Sequence, residues 1–302
     1  MFWGNKQVKN FFEQAIAKGN LAQVYCLTGV DQVGKRTLSF FLSSQLFQVP
    51  LEKVAFHPDF FFLNRGIDEK TGKERKEISV GQIRGLRSFL QNQSWQGGWR
   101  IVVIDEAEFL NEESGNALLK NLEEPGEKTL IFLLTNNEEQ ILPTIRSRVQ
   151  TFRLNIVDDW EIKNGLLDLG CDANLAERIV YLSSGRPGRA IDFFRDEEKL
   201  KEWEEETRRW QEIIKKPLYE RIKILENIIP AKDELVRTEN RLQKILNIWL
   251  EEVRRMLITN MQFDSDKLMV WVQVADALSE AQVMLEQNIN PKMVMEKIML
   301  QF

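Results

Sequence analysis

At 302 residues, 43% of them hydrophobic and 29% charged, the chain exceeds what one core usually organises, so two or three globular domains are expected. No run approaches the roughly 20 apolar residues that span a bilayer, and Met1-Phe2-Trp3-Gly4-Asn5-Lys6 lacks a basic head before an apolar stretch, so no membrane partner and a cytoplasmic location are expected. A net charge of −5 argues against a strongly basic DNA-coating surface; the lone His57 rules out multi-histidine metal sites, and Cys26 and Cys171, far apart, read as buried thiols rather than a disulfide or zinc pair.

Val8, Phe11, Phe12, Ala15 and Ile16 stand at helical spacing, and Gly19-Asn20 supplies a stop, so a first helix is expected over 8–18. Val24–Thr28 is a short apolar run ending at Gly29, and residues 35–47 again have helical spacing: strand, glycine loop, helix. Phe60–Leu63, Ile101–Ile104 and Leu130–Leu134 are further strand-like runs separated by helical stretches, the pattern of a parallel sheet covered by helices. Residues 65–77, dense in charge and holding Gly66 and Gly72, read as a solvated loop or hairpin tip. After about Leu154 the strand-like runs stop, which places a domain boundary near 154–158. Amphipathic helices are then expected through Leu200–Ile214, Leu242–Leu257 and Leu268–Leu285, with a short last one after Pro291, and their tryptophans read chiefly as core.

Gly29-Val30-Asp31-Gln32-Val33-Gly34-Lys35 fits the G-x-x-x-x-G-K phosphate loop in its proper setting between strand and helix. The glycines let backbone N–H groups turn towards a phosphate, the helix N-terminus adds a positive dipole, and Lys35 can reach the terminal phosphates. The next position normally carries the hydroxyl that ligates Mg²⁺. Here it is Arg36, and Thr37 follows about 100° further round an ideal helix. Three readings stay open: nucleotide binding without efficient hydrolysis, a degenerate loop that binds no nucleotide, and a competent ATPase.

Seventy positions after Lys35, the run Ile101–Ile104 leads into Asp105-Glu106-Ala107-Glu108, an acidic strand end of the kind that lines ligand sites in α/β sheets. Asp105 can hold Mg²⁺ through water and Glu106 can polarise an attacking water; the alternative is a solvated strand end.

The run Asn116–Pro125 (NALLKNLEEP) closely resembles a signature of bacterial clamp-loader subunits, the gamma/tau and delta-prime family of AAA+ proteins. Leu134-Thr135-Asn136-Asn137 and Leu142–Arg148 (LPTIRSR) resemble the family's sensor 1 and Ser-Arg-Cys segments, His57-Pro58-Asp59 its His-Pro-Asp, and Gly185–Ala190 (GRPGRA) the start of its sensor 2 helix. The likeness covers roughly residues 22–190. It implies that Gly29, Gly34, Lys35 and Thr37 lie at a nucleotide's phosphates, that Asp105 and Glu106 serve Mg²⁺ and water, that Asn136 senses the γ-phosphate, and that Arg189 is the sensor 2 arginine. Arg148 becomes an arginine finger reaching into a neighbouring subunit's ATP site; the plainer alternative is a surface arginine at a strand start.

The resemblance further implies an α/β P-loop AAA+ domain at 1–155, a helical lid at 156–198 and a helical collar at 199–302. The family's four-cysteine zinc module is absent, since residues 46–60 hold no cysteine, and Val149 replaces the cysteine after the arginine. The implied role is that of a delta-prime-like subunit, with weak or absent ATP turnover of its own, completing a ring of five with gamma/tau-type ATPase subunits and a delta-like subunit to place a sliding clamp on primed DNA. Rival roles are an ATP-hydrolysing motor subunit of the same complex and a free-standing P-loop nucleotide switch.

Overall fold

A strand buried along its whole length needs cover on both faces, and three strands of this chain have that pattern: β1 (Val24–Thr28), β3 (Arg100–Ile104) and β4 (Thr129–Thr135). In the computed structural model, which describes residues 2–68, 74–92, 94–95, 97–229, 235–259, 265–287 and 289–301, they join β2 (Phe60–Leu63) and β5 (Gln150–Arg153) in a parallel sheet of order β2-β3-β4-β1-β5. Alternate side chains divide between two cores. Tyr25, Leu27, Ile101 and Val103 meet α1 (Lys6–Lys18) and α2 (Lys35–Phe47), through Phe12, Leu38 and Leu42. Val24, Cys26, Val102 and Ile104 meet α3 (Val80–Gln91) and α4 (Glu112–Glu123), through Ile83, Leu86, Leu118 and Leu122. This is the arrangement of an α/β P-loop domain, a parallel sheet flanked by helices, followed by further helices.

Local chemistry sets several boundaries. Gly19, with φ 68°, caps α1 by returning its N–H to Ile16. Ser79 and Gln82 form a capping box at the start of α3. The flanks of the charged 65–77 stretch pair through an antiparallel Ile67–Glu74 bridge, as a hairpin requires; its tip, 69–73, lies outside the described residues. β5 has no continuous apolar run, only two half-buried residues between two exposed ones, and this is why periodicity does not reveal it. After α5 (Pro143–Arg146) and β5 the chain is helical: α6 (Asp159–Asp168), α7 (Ala173–Ser183) and α8 (Pro187–Arg195).

The chain divides into two compact units, Met1–Ile191 and Asp192–Phe302. The second holds α9 (Glu197–Ile213), α10 (Leu218–Ile228), α11 (Leu235–Thr259), α12 (Ser265–Glu286) and α13 (Pro291–Met299). Its core gathers Trp210, Leu242, Leu246, Trp249, Val274, Leu278 and Met295, with the rings of Trp210 and Trp249 5.0 Å apart. Trp203 is buried too, as the amphipathic spacing predicts. In α12, Val274, Leu278, Ala281 and Leu285 turn inward, while Met269, Val272 and Val283 face solvent. The Leu268–Leu285 stretch is long and apolar enough to cross a membrane by length and composition alone, at a mean hydropathy of 1.2; its inward stripe packs into the core of this unit.

Candidate functional site

Parallel strands end at one edge of the sheet, and there β1, β3 and β4 deliver the phosphate loop, Asp105 and Asn136. Gly29 leaves β1 with φ 149°, and a Cβ there would stand 2.4 Å from the Leu154 carbonyl oxygen, so only glycine fits beneath the chain leaving β5. Gln32 (φ 61°) and Gly34 (φ 110°) complete the turn in the left-handed region. The first bond within α2 runs from Leu38 N to Gly34 O, 2.9 Å, and no side chain caps the helix. The amides of Lys35, Arg36 and Thr37 therefore have no partner within the helix, a donor set suited to phosphate oxygens.

Lys35 is buried. Its ammonium donates to Gly29 O (2.7 Å), Val30 O (2.9 Å) and Asn136 Oδ1 (2.7 Å), which uses all three of its protons. Burial pushes its pKa below the ordinary lysine value, against the opposing pull of Asp31, Asp105 and Glu108. Asp105 is pushed the other way, above the ordinary aspartate value: burial dominates, offset by the Glu106 amide at 3.0 Å from its Oδ1 and by the charge of Arg36. The backbone N–H of Asn136 donates to Glu108 Oε1 (3.2 Å), and Glu108 Oε2 is buried without a donor. Arg189 reaches the same loop: its Nε donates to Gln32 Oε1 (3.3 Å), and the neighbouring Gly188 N donates to Gln32 O (2.9 Å).

Glu106 is committed elsewhere. It sits at φ 56°, and Arg65 donates to both of its oxygens, Nε to Oε2 at 3.0 Å and Nη2 to Oε1. The guanidinium also pairs with Glu74 (3.0 Å) and stacks 3.8 Å above the Phe109 ring. Arg65 escaped the reading from sequence. Its signal lies in the pairing of β2 with β3: Leu63 stands opposite Ile104, and two residues on, Arg65 meets Glu106.

A divalent cation does not fit the side chains gathered here. Arg36 holds the place of the ligating hydroxyl, its guanidinium 4.4 Å from the Phe62 ring centroid and 5.3 Å from that of Phe40. Thr37 stands half-buried one residue on. Among the described residues no group of three or more His, Cys, Asp or Glu side chains is placed to hold a metal ion.

Arg148 is not part of this cluster. β5 runs parallel to β1, with Gln150 opposite Tyr25 and Arg153 opposite Thr28, so the loop leaves one edge of the sheet and Arg148 precedes β5 at the other. At about 3.3 Å per residue the paired strands alone separate the two edges by about 10 Å. The side chain is exposed; it donates from Nε to Glu123 Oε1 (2.7 Å) and from Nη1 to Thr144 O (2.9 Å) and Ser147 Oγ (3.0 Å).

The conspicuous NALLKNLEEP run thus has two tasks: Leu118 and Leu122 enter the core, and Glu123 holds Arg148; just beyond it the Gly126 carbonyl accepts from Gln23 Nε2 at 2.8 Å. His57-Pro58-Asp59 shapes the approach to β2. The imidazole stacks on Phe47 at 3.8 Å, and the buried Asp59 carboxylate accepts from Trp95 N at 3.0 Å.

Residues 4–158 match the family model described as DNA polymerase III, delta subunit. The delta' subunit of DNA polymerase III from Pseudomonas aeruginosa is 34% identical over 141 residues, covering 42% of this chain and 41% of the relative. That from Escherichia coli is 31% identical over 147 residues, covering 48% and 42%. The gamma subunit from Buchnera aphidicola is 28% identical over 171 residues, covering 54% and 46%. The chain therefore spans less than half the length of each of these curated relatives. Across nearly its whole length (98% of this chain, 97% of the other) it has the fold of a gamma subunit-related protein from Thermotoga maritima, with a TM-score of 0.53 at 18% identity.

Proposed function

The chain belongs to the DNA polymerase III delta-subunit family, and from that premise we propose that it serves as a delta-prime-like subunit of a sliding-clamp loader, offering Arg148 to the ATP site of a neighbouring subunit. One observation carries this reading: Arg148 is exposed and stands at the sheet edge opposite its own phosphate loop, out of reach of any nucleotide bound there. An arginine keeps its charge at any working pH and presents a fixed fork of donors, the properties needed to stabilise charge on a transferring phosphoryl group. Glu123 holds it in the meantime through a contact open to solvent, and such exposed pairs cost little to exchange, about 0–1 kcal/mol.

The chain's own loop is proposed to hold nucleotide phosphates without efficient turnover. Lys35, the helix amides, Asn136 and Arg189 converge on one place, but Glu106 is bound to Arg65 and the metal's hydroxyl ligand is replaced by Arg36. A motor-subunit role, the rival suggested by the gamma relative, is disfavoured on the same grounds. Within the proposal, residues 1–155 form the nucleotide-binding-type domain, 156–198 the lid and 199–302 the collar. The outward apolar face of α12, with Met269 61% exposed, supports packing of that collar against gamma/tau-type and delta-like subunits in a cytoplasmic ring of five that acts on the clamp and primed DNA.

The test is reconstitution with the partner ATPase subunits. Arg148→Ala is expected to assemble normally and to slow ATP hydrolysis by the complex about 10²-fold or more, the scale of arginine fingers. An unchanged rate in an assembled ring removes Arg148 from the role.

A further inference from the structure

The replacement of the metal's ligand is itself informative. A nucleoside polyphosphate carries several negative charges, which a phosphate loop normally meets with its lysine and a Mg²⁺ ion held by the hydroxyl after that lysine. In this chain the position is filled by a permanent cation. Arg36 is exposed, and two rings, Phe62 and Phe40, lie within cation–π range of its guanidinium and place it on the β2 side of the loop. That side also carries Asp105, because β2 and β3 are neighbours and Asp105 N donates to Leu63 O at 2.7 Å.

Of the two acids that the resemblance assigns to metal and water, Asp105 is the one left to face a metal, since Glu106 has both oxygens on Arg65. A dication placed between Asp105 and a phosphate would then meet the positive charge of Arg36 and find no hydroxyl. A guanidinium in the same place instead supplies charge and several directed donors to phosphate oxygens, beside the free amides of the α2 N-terminus.

We propose that Arg36 takes the place of the divalent cation, so that this loop binds the polyphosphate tail of a nucleoside di- or triphosphate in its metal-free form. The inference rests on the reading of residues 29–35 as a phosphate-binding loop, and it adds which ionic form of the ligand is bound and which residue selects it. It also accounts for retention without turnover, because no metal is present to draw charge from the γ-phosphate.

The experiment titrates the full chain with fluorescent N-methylanthraniloyl-ADP, followed by anisotropy, and with unlabelled ADP by calorimetry, each in excess Mg²⁺ and in excess EDTA. Affinity is expected to agree within about threefold between the two conditions. Arg36→Thr, which restores a hydroxyl and removes the cation, is expected to lose about tenfold or more in EDTA and to regain much of it with Mg²⁺; Arg36→Lys, a point charge without the fork, falls between. Circular dichroism checks the fold of both variants, and the wild-type comparison decides the matter even if one of them is unstable. Wild-type affinity that drops tenfold or more on chelation overturns the inference and leaves the phosphate loop standing, as does Arg36→Thr binding like wild type in EDTA. Absence of binding in both conditions overturns the loop reading together with the inference.

Discussion

The two edges of the sheet treat their charged residues in opposite ways. At the phosphate-loop edge Lys35 spends three protons on its own chain, Glu106 is gripped by Arg65, and Arg189 is turned onto Gln32. At the other edge Arg148 is exposed and held chiefly by one half-exposed carboxylate, that of Glu123. A self-satisfied cluster suits holding a ligand still; a solvent-facing arginine on a short helix-to-strand connection suits contact with another molecule. Under the proposed function the difference separates a site that would serve this chain from one that would serve a neighbour, and it can be attacked from either edge.

The largest effect is expected where the loop's geometry has no slack. Gly29→Ala forces a side chain into a φ of 149° and a Cβ to within 2.4 Å of a backbone oxygen; a loss of about 1–3 kcal/mol, read as a lower urea midpoint with unchanged slope, is expected. Retention of the wild-type midpoint shows that the loop relaxes freely and is not locked. At the other edge Arg148→Lys keeps the charge but not the fork, and about tenfold slower hydrolysis in the reconstituted complex is expected, short of the alanine variant's loss. Equal rates for lysine and wild type reduce Arg148 to a general positive charge.

Asp105→Asn probes the electrostatics of the loop edge. Burial raises the aspartate's pKa in the folded state above its unfolded value, so the native carboxylate binds its proton more readily than the unfolded one. Its favourable contribution is fully present below the unfolded pKa and is lost as pH rises through the raised folded value. The asparagine variant is therefore expected to melt above wild type at pH 7, with the gap closing as pH falls through the raised pKa into the ordinary aspartate range. A gap that stays constant with pH rules out ionisation as its source. The smallest effect is expected at Glu123→Gln: under about 1 kcal/mol in stability, because the pair with Arg148 is open to solvent, and a rate in the complex within about threefold of wild type. A large fall in that rate makes Glu123 a positioning residue for the finger.

Much of the first unit was legible in advance because its signals are local. Four of the five strands are contiguous apolar runs, the loop glycines and Lys35 stand in a fixed frame, and Asp105 directly follows a strand. β5 was not legible, as four residues with exposed ends carry no periodic signal. Arg65 was hidden for another reason: nothing in the spacing of residues 65 and 106 shows that they meet, and only the adjacency of β2 and β3 puts them together. In the second unit the tryptophan and leucine spacing was enough to place the core, since one helix face predicts its own burial.

From the order of its residues alone the chain declares an α/β P-loop domain followed by helices, a phosphate loop with Arg36 where a hydroxyl belongs, and the family to which its NALLKNLEEP run points. Tertiary structure decided which charges are already paired. Arg189 meets Gln32 across 157 positions and Glu106 meets Arg65 across 41, while Arg148 is placed at the edge its own loop does not share. The physical reason lies in parallel pairing. Each strand joins the next through a crossover, so register and neighbour are set by packing over the whole sheet and leave no trace in local spacing.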